Sequence, residues 1–533
     1  MMDRTGTRVR GFILAALVVC VALGFALRLG GIERVGFAED EINKLEAIKA
    51  YEHGDISPNA EHPMLMKLLV YVSMQAAQVW NAGQSARNQI SDEAALRFPN
   101  ILFGALTAIP LFLLTAAFFE RRTALIAAAL WSFGINAITY NRIAKEDTLL
   151  VFFMLFAFYF YLRAKQTSGF DAKGKRRAYA LSGASFGLML ASKYFPHYFG
   201  LNMLYHQLFR VREREAGEPR GRTPRLFYIL VGLFFLIANP AVLLPQTWHY
   251  MQAYSSEQLL THTGYLMGQH LYKNNGSSTP FWGTPLYFYA LFLAVKVPLP
   301  VILAFVVGLF ESVRRWRHPG HAFLLLMFVL WIVPYSLFGA KWLRYTLSLM
   351  PFVYMFAAVG INALLNWTNF LLERAGALRV RGLATAVMLL FFIALPAWTA
   401  YGSGPHYAAY VNALGGGRTG YFFPHDEFYD DGLREAMRFI CETAPQGAIV
   451  AHETPAVARY YLSKYGRTDL RSRALSDPNF KLEETPGPVY VIVQRGRTYF
   501  ENLDETARAR ARGTKVYEGF VEGATAVEVY LIK

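Results

Sequence analysis

Residues 11–29 read GFILAALVVCVALGFALRL, an apolar run of nineteen residues, long enough to cross a hydrocarbon core as one helix. Runs of this kind recur as far as Tyr401. Inside lipid every backbone polar group must pair within its own segment, so runs of this length are helices; barrel strands are shorter and alternate. Arg4, Arg8 and Arg10 before the first run imitate a signal peptide. The run is long, however, and no small-x-small site precedes Gly30, so it is expected to stay as the first span.

Composition agrees. Of 533 residues, 54% are hydrophobic and only 17% charged, against about 25% charged in ordinary globular domains. The net charge of +15 would point to nucleic acid in a soluble protein. Here the basic residues sit in short loops between apolar runs, which the positive-inside rule explains without nucleic acid. Cys20 lies in the first run and Cys441 in the polar last quarter, so no disulfide framework is expected.

Crossings are expected at roughly 11–30, 96–119, 123–140, 148–164, 178–192, 195–209, 226–246, 298–312, 321–338, 343–366 and 382–401. The fold class is a polytopic α-helical membrane protein with about 11 to 13 such helices. The N-terminal arginines, Arg121/Arg122, Lys165 to Arg177, Arg210 to Arg225, Arg314/Arg315/Arg317 and Arg374/Arg379/Arg381 then share one face, the cytoplasmic one. The C-terminus falls outside. The stretch 281–311, broken by Pro280, Pro285, Pro298 and Pro300, reads as an outer-surface helix followed by a span.

Residues 1–402 make the transmembrane module, with large outer loops at 31–93 and 246–283. In the first loop, Asp40–His53 and His62–Trp80 read as amphipathic helices lying along the membrane surface. Beyond Gly402 the chain is polar. Val489–Val493 and Val527–Ile532 read as strands, Asp431–Glu442 and Thr498–Arg512 as helices, so 403–533 is expected to be a small outer α/β domain. No internal repeat is found, which disfavours transporter folds built on duplicated halves.

Three polar clusters border the apolar runs on the outer side. Glu39-Asp40-Glu41 follows the first span. Crowding raises the pKa of at least one of three adjacent acids, and a carboxylate tuned that way suits a general base. The plain alternative makes Asp40 the N-cap of the next helix. The second cluster, Asn141 to Asp147, turns between two spans. Arg142 and Asp147 border the apolar runs, close enough to pair or to face one cavity, whereas Lys145 and Glu146 read as solvated. In the third, Lys193 and Arg344 are cations on the outer side, against the positive-inside trend. Two cations beside an acid cluster point to an anionic ligand, phosphate first. His249, His262 and His270 in the second loop match no tight metal spacing.

The order of these clusters resembles the GT-C superfamily of membrane glycosyltransferases, in the branch of protein O-mannosyltransferases and bacterial lipid A aminoarabinose transferases. Asp40–Ile48 (DEINKLEAI) is similar to the Asp-Glu motif of their first outer loop. Glu61–Leu69 (EHPMLMKLL) is similar to a His-Pro-Pro-Leu-x-Lys-Leu stretch, with Met64 replacing a proline. Asn141-Arg142-Ile143-Ala144 with Asp147, Ser192-Lys193, and Arg344-Tyr345 with Pro351 are similar to three further elements in the same order.

The resemblance implies transfer of a sugar from a polyprenyl- or dolichyl-phosphate donor to an acceptor hydroxyl on a lipid, glycan or protein at the outer face. It further suggests a bacterial inner membrane with the C-terminal domain in the periplasm. Asp40 is then the expected base, with Glu41 supporting it and orienting the acceptor. Lys193, Arg344 and Arg142 are the expected donor-phosphate contacts, and Asp147, His262, Tyr345 and His62 supporting residues. A phosphate leaving group needs no general acid, and a single base predicts inversion at the anomeric carbon. Some superfamily members use a divalent metal, and the sequence leaves that open. The competing expectations are a transporter or lipid flippase, whose polar groups would gather near the midplane, and a non-catalytic scaffold binding a partner through its outer domain.

Overall fold

Helix α1 (Arg4–Leu29) carries the first apolar run without a break. The structure is a computed structural model and describes residues 4–209, 222–256, 263–275 and 283–533. Phe12, Leu14, Val18, Val19 and Leu23 of α1 all face outward, a surface suited to lipid rather than to water.

The chain then forms α2 (Glu39–Tyr51), α3 (Leu65–Asn81), α4 (Asp92–Leu106), α5 (Ala108–Phe118), α6 (Arg121–Phe133), α7 (Ile135–Asn141) and α8 (Asp147–Gln166). Among the described residues, six helical stretches are long and apolar enough to cross a membrane: Arg10–Leu29, Ala86–Phe118, Asp147–Gln166, Pro319–Leu337, Met350–Arg374 and Leu378–Gly402. The pair α6 and α7, bent by 54°, makes a seventh if taken as one span. The bend falls at Gly134, where a Cβ would lie 2.1 Å from the Tyr354 hydroxyl, so only glycine lets Tyr354 pack against the break. The other expected crossings are also helical. His197–Leu208, Arg225–Ala238 and Leu299–Arg314 are shorter than a full span, and Ala172–Ser192 opens on Lys173, Lys175, Arg176 and Arg177. The stretch 281–311 divides as the prolines predict, into Phe288–Lys296 and Leu299–Arg314.

Both helices of the first outer loop form where periodicity places them, but the apolar stripe of α2 does not lie on the membrane. Phe37, Ile42, Leu45 and Ile48 are buried in one core with Leu433, Met437, Ile440 and Tyr461 of the C-terminal region. Helix α3 is two-sided: Met66, Val70 and Met74 join this core while Val72, Val79 and Trp80 stay exposed.

The C-terminal region is built on a five-stranded sheet. Counting the hairpin β1 (Gly264–Met267) and β2 (His270–Lys273) of the second outer loop first, its strands are β3 (Ile449–His452), β4 (Arg471–Ala474), β5 (Val489–Gln494), β6 (Thr514–Val521) and β7 (Ala524–Ile532). Their order is β4-β3-β5-β7-β6, with β3 parallel to β4 and β5, and β7 antiparallel to β5 and β6. The expected strands Val489–Val493 and Val527–Ile532 lie within β5 and β7. Because one face of this sheet shares its core with α2 and α3, the region is packed onto these two helices rather than tethered apart from them.

Candidate active site

Successive residues of a helix point about 100° apart, so three adjacent acids in the first turn of α2 cannot face one point. They do not. Ala38, not Asp40, is the N-cap, and Glu41 reaches back to accept the Ala38 amide at 3.0 Å, the one half of a capping box that an alanine N-cap allows. Glu41 is fully buried and grips Arg97 bidentately, at 2.8 Å from Nε and 2.6 Å from Nη2. Arg97 spends its remaining hydrogens on the carbonyls of Ile32, Val35 and Gly36, and the Ala144 amide also donates to Glu41. Glu41 therefore has no free face for an acceptor; it sets where α2 begins.

Glu39 turns the opposite way. Its carboxylate meets Arg497 Nη1 at 2.9 Å, its amide donates to Asp430, and Arg497 also pairs with Asp430 at 2.5 Å. Asp40 is part-exposed like Glu39, 24% against 29% for the side chains, but it faces a different set of cations. Lys145 Nζ lies 2.6 Å from it, Arg344 Nη1 3.4 Å, and the Tyr429 hydroxyl donates to it. Burial would raise the Asp40 carboxyl, but Lys145, Arg344 and Lys44 outweigh burial and hold it well below the usual range. The acid that rises is Glu39, through burial and the charges of Asp430 and Asp40, against the pull of Arg497. Crowding thus acts on Glu39, whereas the residue expected as the base is governed by its cations.

The turn 141–147 is pinned by Asn100, whose amide donates to the carbonyls of Ile143 and Lys145. Lys145 and Glu146, which the sequence places in solvent, are only 5% and 1% exposed. Lys145 holds Asp40, and Glu146 pairs with Lys44 at 2.9 Å. Arg142 does not join Lys193 and Arg344 in these contacts. Its guanidinium donates to the carbonyls of Arg28, Gly30 and Gly31, closing the C-terminal end of α1, and packs on Tyr407. Asp147 does not orient Arg142 either: it pairs with Lys193 at 2.6 Å.

Lys193 and Arg344 do come together. Lys193 follows the helix Ala172–Ser192, and Arg344 stands in the 3-10 turn Leu343–Ser348 ahead of the span Met350–Arg374. The Tyr345 ring lies between them, 4.8 Å from Lys193 Nζ and 5.6 Å from Arg344 Cζ. Asp40, Arg344, Tyr345, Lys193 and Asp147 form a continuous line of contacts. His62 sits behind it beside Glu146; burial, reinforced by Lys145 and Lys44 against the pull of Glu146, lowers its imidazole to about 3, so it is neutral. His262 lies outside the described residues. Among the described residues no three His, Cys, Asp or Glu side chains gather as a metal set, and each acid of the 39–41 cluster faces a cation. Carboxylates already matched to cations in this way do not fit a divalent ion.

Sequence reasoning passed over Lys145, Arg97, Tyr429 and Arg497. Arg97 carried a signal, a lone cation at the edge of the run 96–119. Tyr429 and Arg497 lie in polar sequence and carried none.

Residues 87–244 match the dolichyl-phosphate-mannose-protein mannosyltransferase family. No curated protein matches the chain. ArnT from Cupriavidus metallidurans, solved with undecaprenyl phosphate, superposes over 97% of this chain and 98% of its own, with a TM-score of 0.52 at 13% identity. The oligosaccharyltransferase AglB from Archaeoglobus fulgidus, solved with an inhibitory peptide and a dolichol-phosphate, superposes over 97% of this chain and 74% of its own, with a TM-score of 0.50 at 12% identity. The chain has the GT-C fold. The family match covers the turn 141–147 and Lys193, while Asp40 and Arg344 lie on either side of it.

Proposed function

We propose that this GT-C protein is an inverting glycosyltransferase that moves a sugar from a polyprenyl-phosphate donor to an acceptor hydroxyl at the outer face of the membrane. One observation carries the proposal: a part-exposed carboxylate, Asp40, stands next to Arg344, whose neighbour across the Tyr345 ring is Lys193. The family match and the lipid phosphates bound by ArnT and AglB support a phosphate-linked donor.

In the reaction, the acceptor oxygen bonds to the anomeric carbon as that carbon's bond to the phosphate oxygen breaks. The bonding pair leaves with the lipid phosphate, and the acceptor proton passes to Asp40. Arg344 and Lys193 hold the phosphate as its charge grows. Asp40 at rest is a weak base because Lys145 and Arg344 neutralise it. An arriving phosphate competes for those two cations, and Asp40 becomes more basic when the donor is bound. Among the described residues, the carboxylates nearest Asp40 are each held in an ion pair, Glu39 by Arg497, Glu41 by Arg97, Glu146 by Lys44 and Asp147 by Lys193, so a single displacement with inversion is the expected course. Residues 403–533 serve as an outer brace, holding α2 through Asp430, Arg497 and Tyr429.

The test supplies purified protein with a panel of polyprenyl-phosphate sugars and measures release of polyprenyl phosphate. Asp40→Asn should lower turnover by about 10²–10⁴-fold while the melting temperature stays near that of the parent. Undiminished turnover in that variant sinks the assignment of the base, and no release with any donor sinks the proposal.

A further inference from the structure

A groove of about 370 Å³ lies at the end of the bundle opposite Asp40, between α1, α5 and α8. Its walls are apolar, with Leu14, Phe112 and Ala116 among them, and its mouth carries Arg10, Arg121 and Arg163. These arginines come from three different helices, α1, α6 and α8.

Some arginines of the basic loops are held by partners within the protein. Arg122 donates to Asn362 and Asn366, each at 2.7 Å, and Arg314 and Arg315 both pair with Glu311. Among the described residues, no side-chain hydrogen bond or ion pair engages Arg10, Arg121 or Arg163. Nor does every groove carry cations. The apolar groove at the other end, about 670 Å³ between α3 and α4, is lined by no charged residue.

We infer that the groove between α1, α5 and α8 binds one anionic phospholipid, its acyl chain along Leu14, Phe112 and Ala116 and its headgroup phosphate among the three arginines. The charge complementarity is specific to this end. Guanidinium groups match phosphate oxygens in fork geometry, and three converging cations without an internal anion repel one another until an anion arrives. A zwitterionic lipid would bring its own positive charge into the same space. A basic pocket between spanning helices on the face with excess arginine is where an anionic headgroup is selected. The occupant differs from the proposed donor in location, since Arg10 stands about 28 Å along α1 from Leu29, the end of the helix nearer Asp40.

The experiment uses the full chain in mixed micelles doped with dioleoylphosphatidylglycerol or dioleoylphosphatidylcholine, read by native mass spectrometry and melting temperature. The parent should retain one phosphatidylglycerol under activation that strips phosphatidylcholine. The variant R10Q/R121Q/R163Q should lose that retention at least tenfold. The charge-matched variant R374Q/R379Q/R381Q should keep it, because it removes the same charge away from the groove. Equal retention in both variants, or equal loss in both, overturns the site, as does equal retention of the two lipids. Inorganic phosphate at millimolar concentration should not reproduce the melting shift; if it does, the site takes a free anion and the lipid assignment fails. Should the triple variant not fold, Ala116→Trp fills the groove with the arginines intact. Retention of phosphatidylglycerol in that variant also overturns the inference.

Discussion

The phenol of Tyr429 donates a hydrogen bond to the carboxylate of Asp40, across 389 positions of chain. Tyr429 is held for this contact from behind. Its backbone takes φ 51° and ψ −109°, a region that costs an L-residue roughly 1–3 kcal/mol. Arg497 lies 5.0 Å from its ring. Gly496 approaches so closely that a Cβ there would stand 2.7 Å from the Tyr429 carbonyl. The C-terminal region thus reaches the proposed base directly.

Tyr429→Phe keeps the ring and removes the donor. A hydrogen bond to a charged group is worth about 1.5–3 kcal/mol, so its loss leaves the ionised Asp40 less stabilised and a stronger base. The loss also moves the pH profile. Asp40 is depressed in the folded protein, so its ionised form is present above the ordinary carboxylate value and is lost only as pH falls through the lower folded value. Without the phenol that folded value rises, and the acid limb of turnover should shift to higher pH. An unmoved acid limb would show that Tyr429 does not act on Asp40.

Glu41→Gln should behave differently from Asp40→Asn. Glu41 is buried against Arg97, and breaking such a pair costs about 3–5 kcal/mol. The melting temperature and yield should drop, while turnover per folded molecule changes little. Chemical denaturation alongside active-site titration separates the two effects.

Arg142→Gln should lower the melting temperature without weakening the donor. Its hydrogen bonds go to the carbonyls closing α1, and none reaches Lys193 or Arg344. Donor KM is the discriminating measurement: a rise of tenfold or more would return Arg142 to the phosphate site.

Lys145 supplies a basic limb. Burial and Arg344 lower its ammonium to about 8 against the pull of Asp40, so its charge is present below that pH and lost above it. Donor affinity should weaken as pH rises through about 8, and Lys145→Arg should abolish that limb. Stability moves the other way, since the unfolded chain binds more protons than the folded one between this value and about 10.4. A fall in affinity with no fall in melting temperature therefore marks the site rather than the fold.

The spans were legible because lipid imposes a length and a composition that leave a local trace in the chain. The site was legible in part for the same reason: an ionisable residue at the edge of an apolar run is costly, so Asp40, Asp147, Lys193 and Arg344 stand out one by one. Their local context does not say which charge meets which. Lys145 looks like a solvated turn residue until Asn100 pins its loop and Asp40 arrives.

Glu39-Asp40-Glu41 shows the division most sharply. Local sequence established that three acids open a helix just past the first span. Tertiary structure alone gave each a separate task. A helix splays neighbouring side chains by about 100°, and their partners come from 56, 304, 389 and 458 positions away, in Arg97, Arg344, Tyr429 and Arg497. Pairing at such range is decided by packing, which buries Glu41 against Arg97, sets Glu39 against Arg497, and gives Asp40 to Lys145, Arg344 and Tyr429.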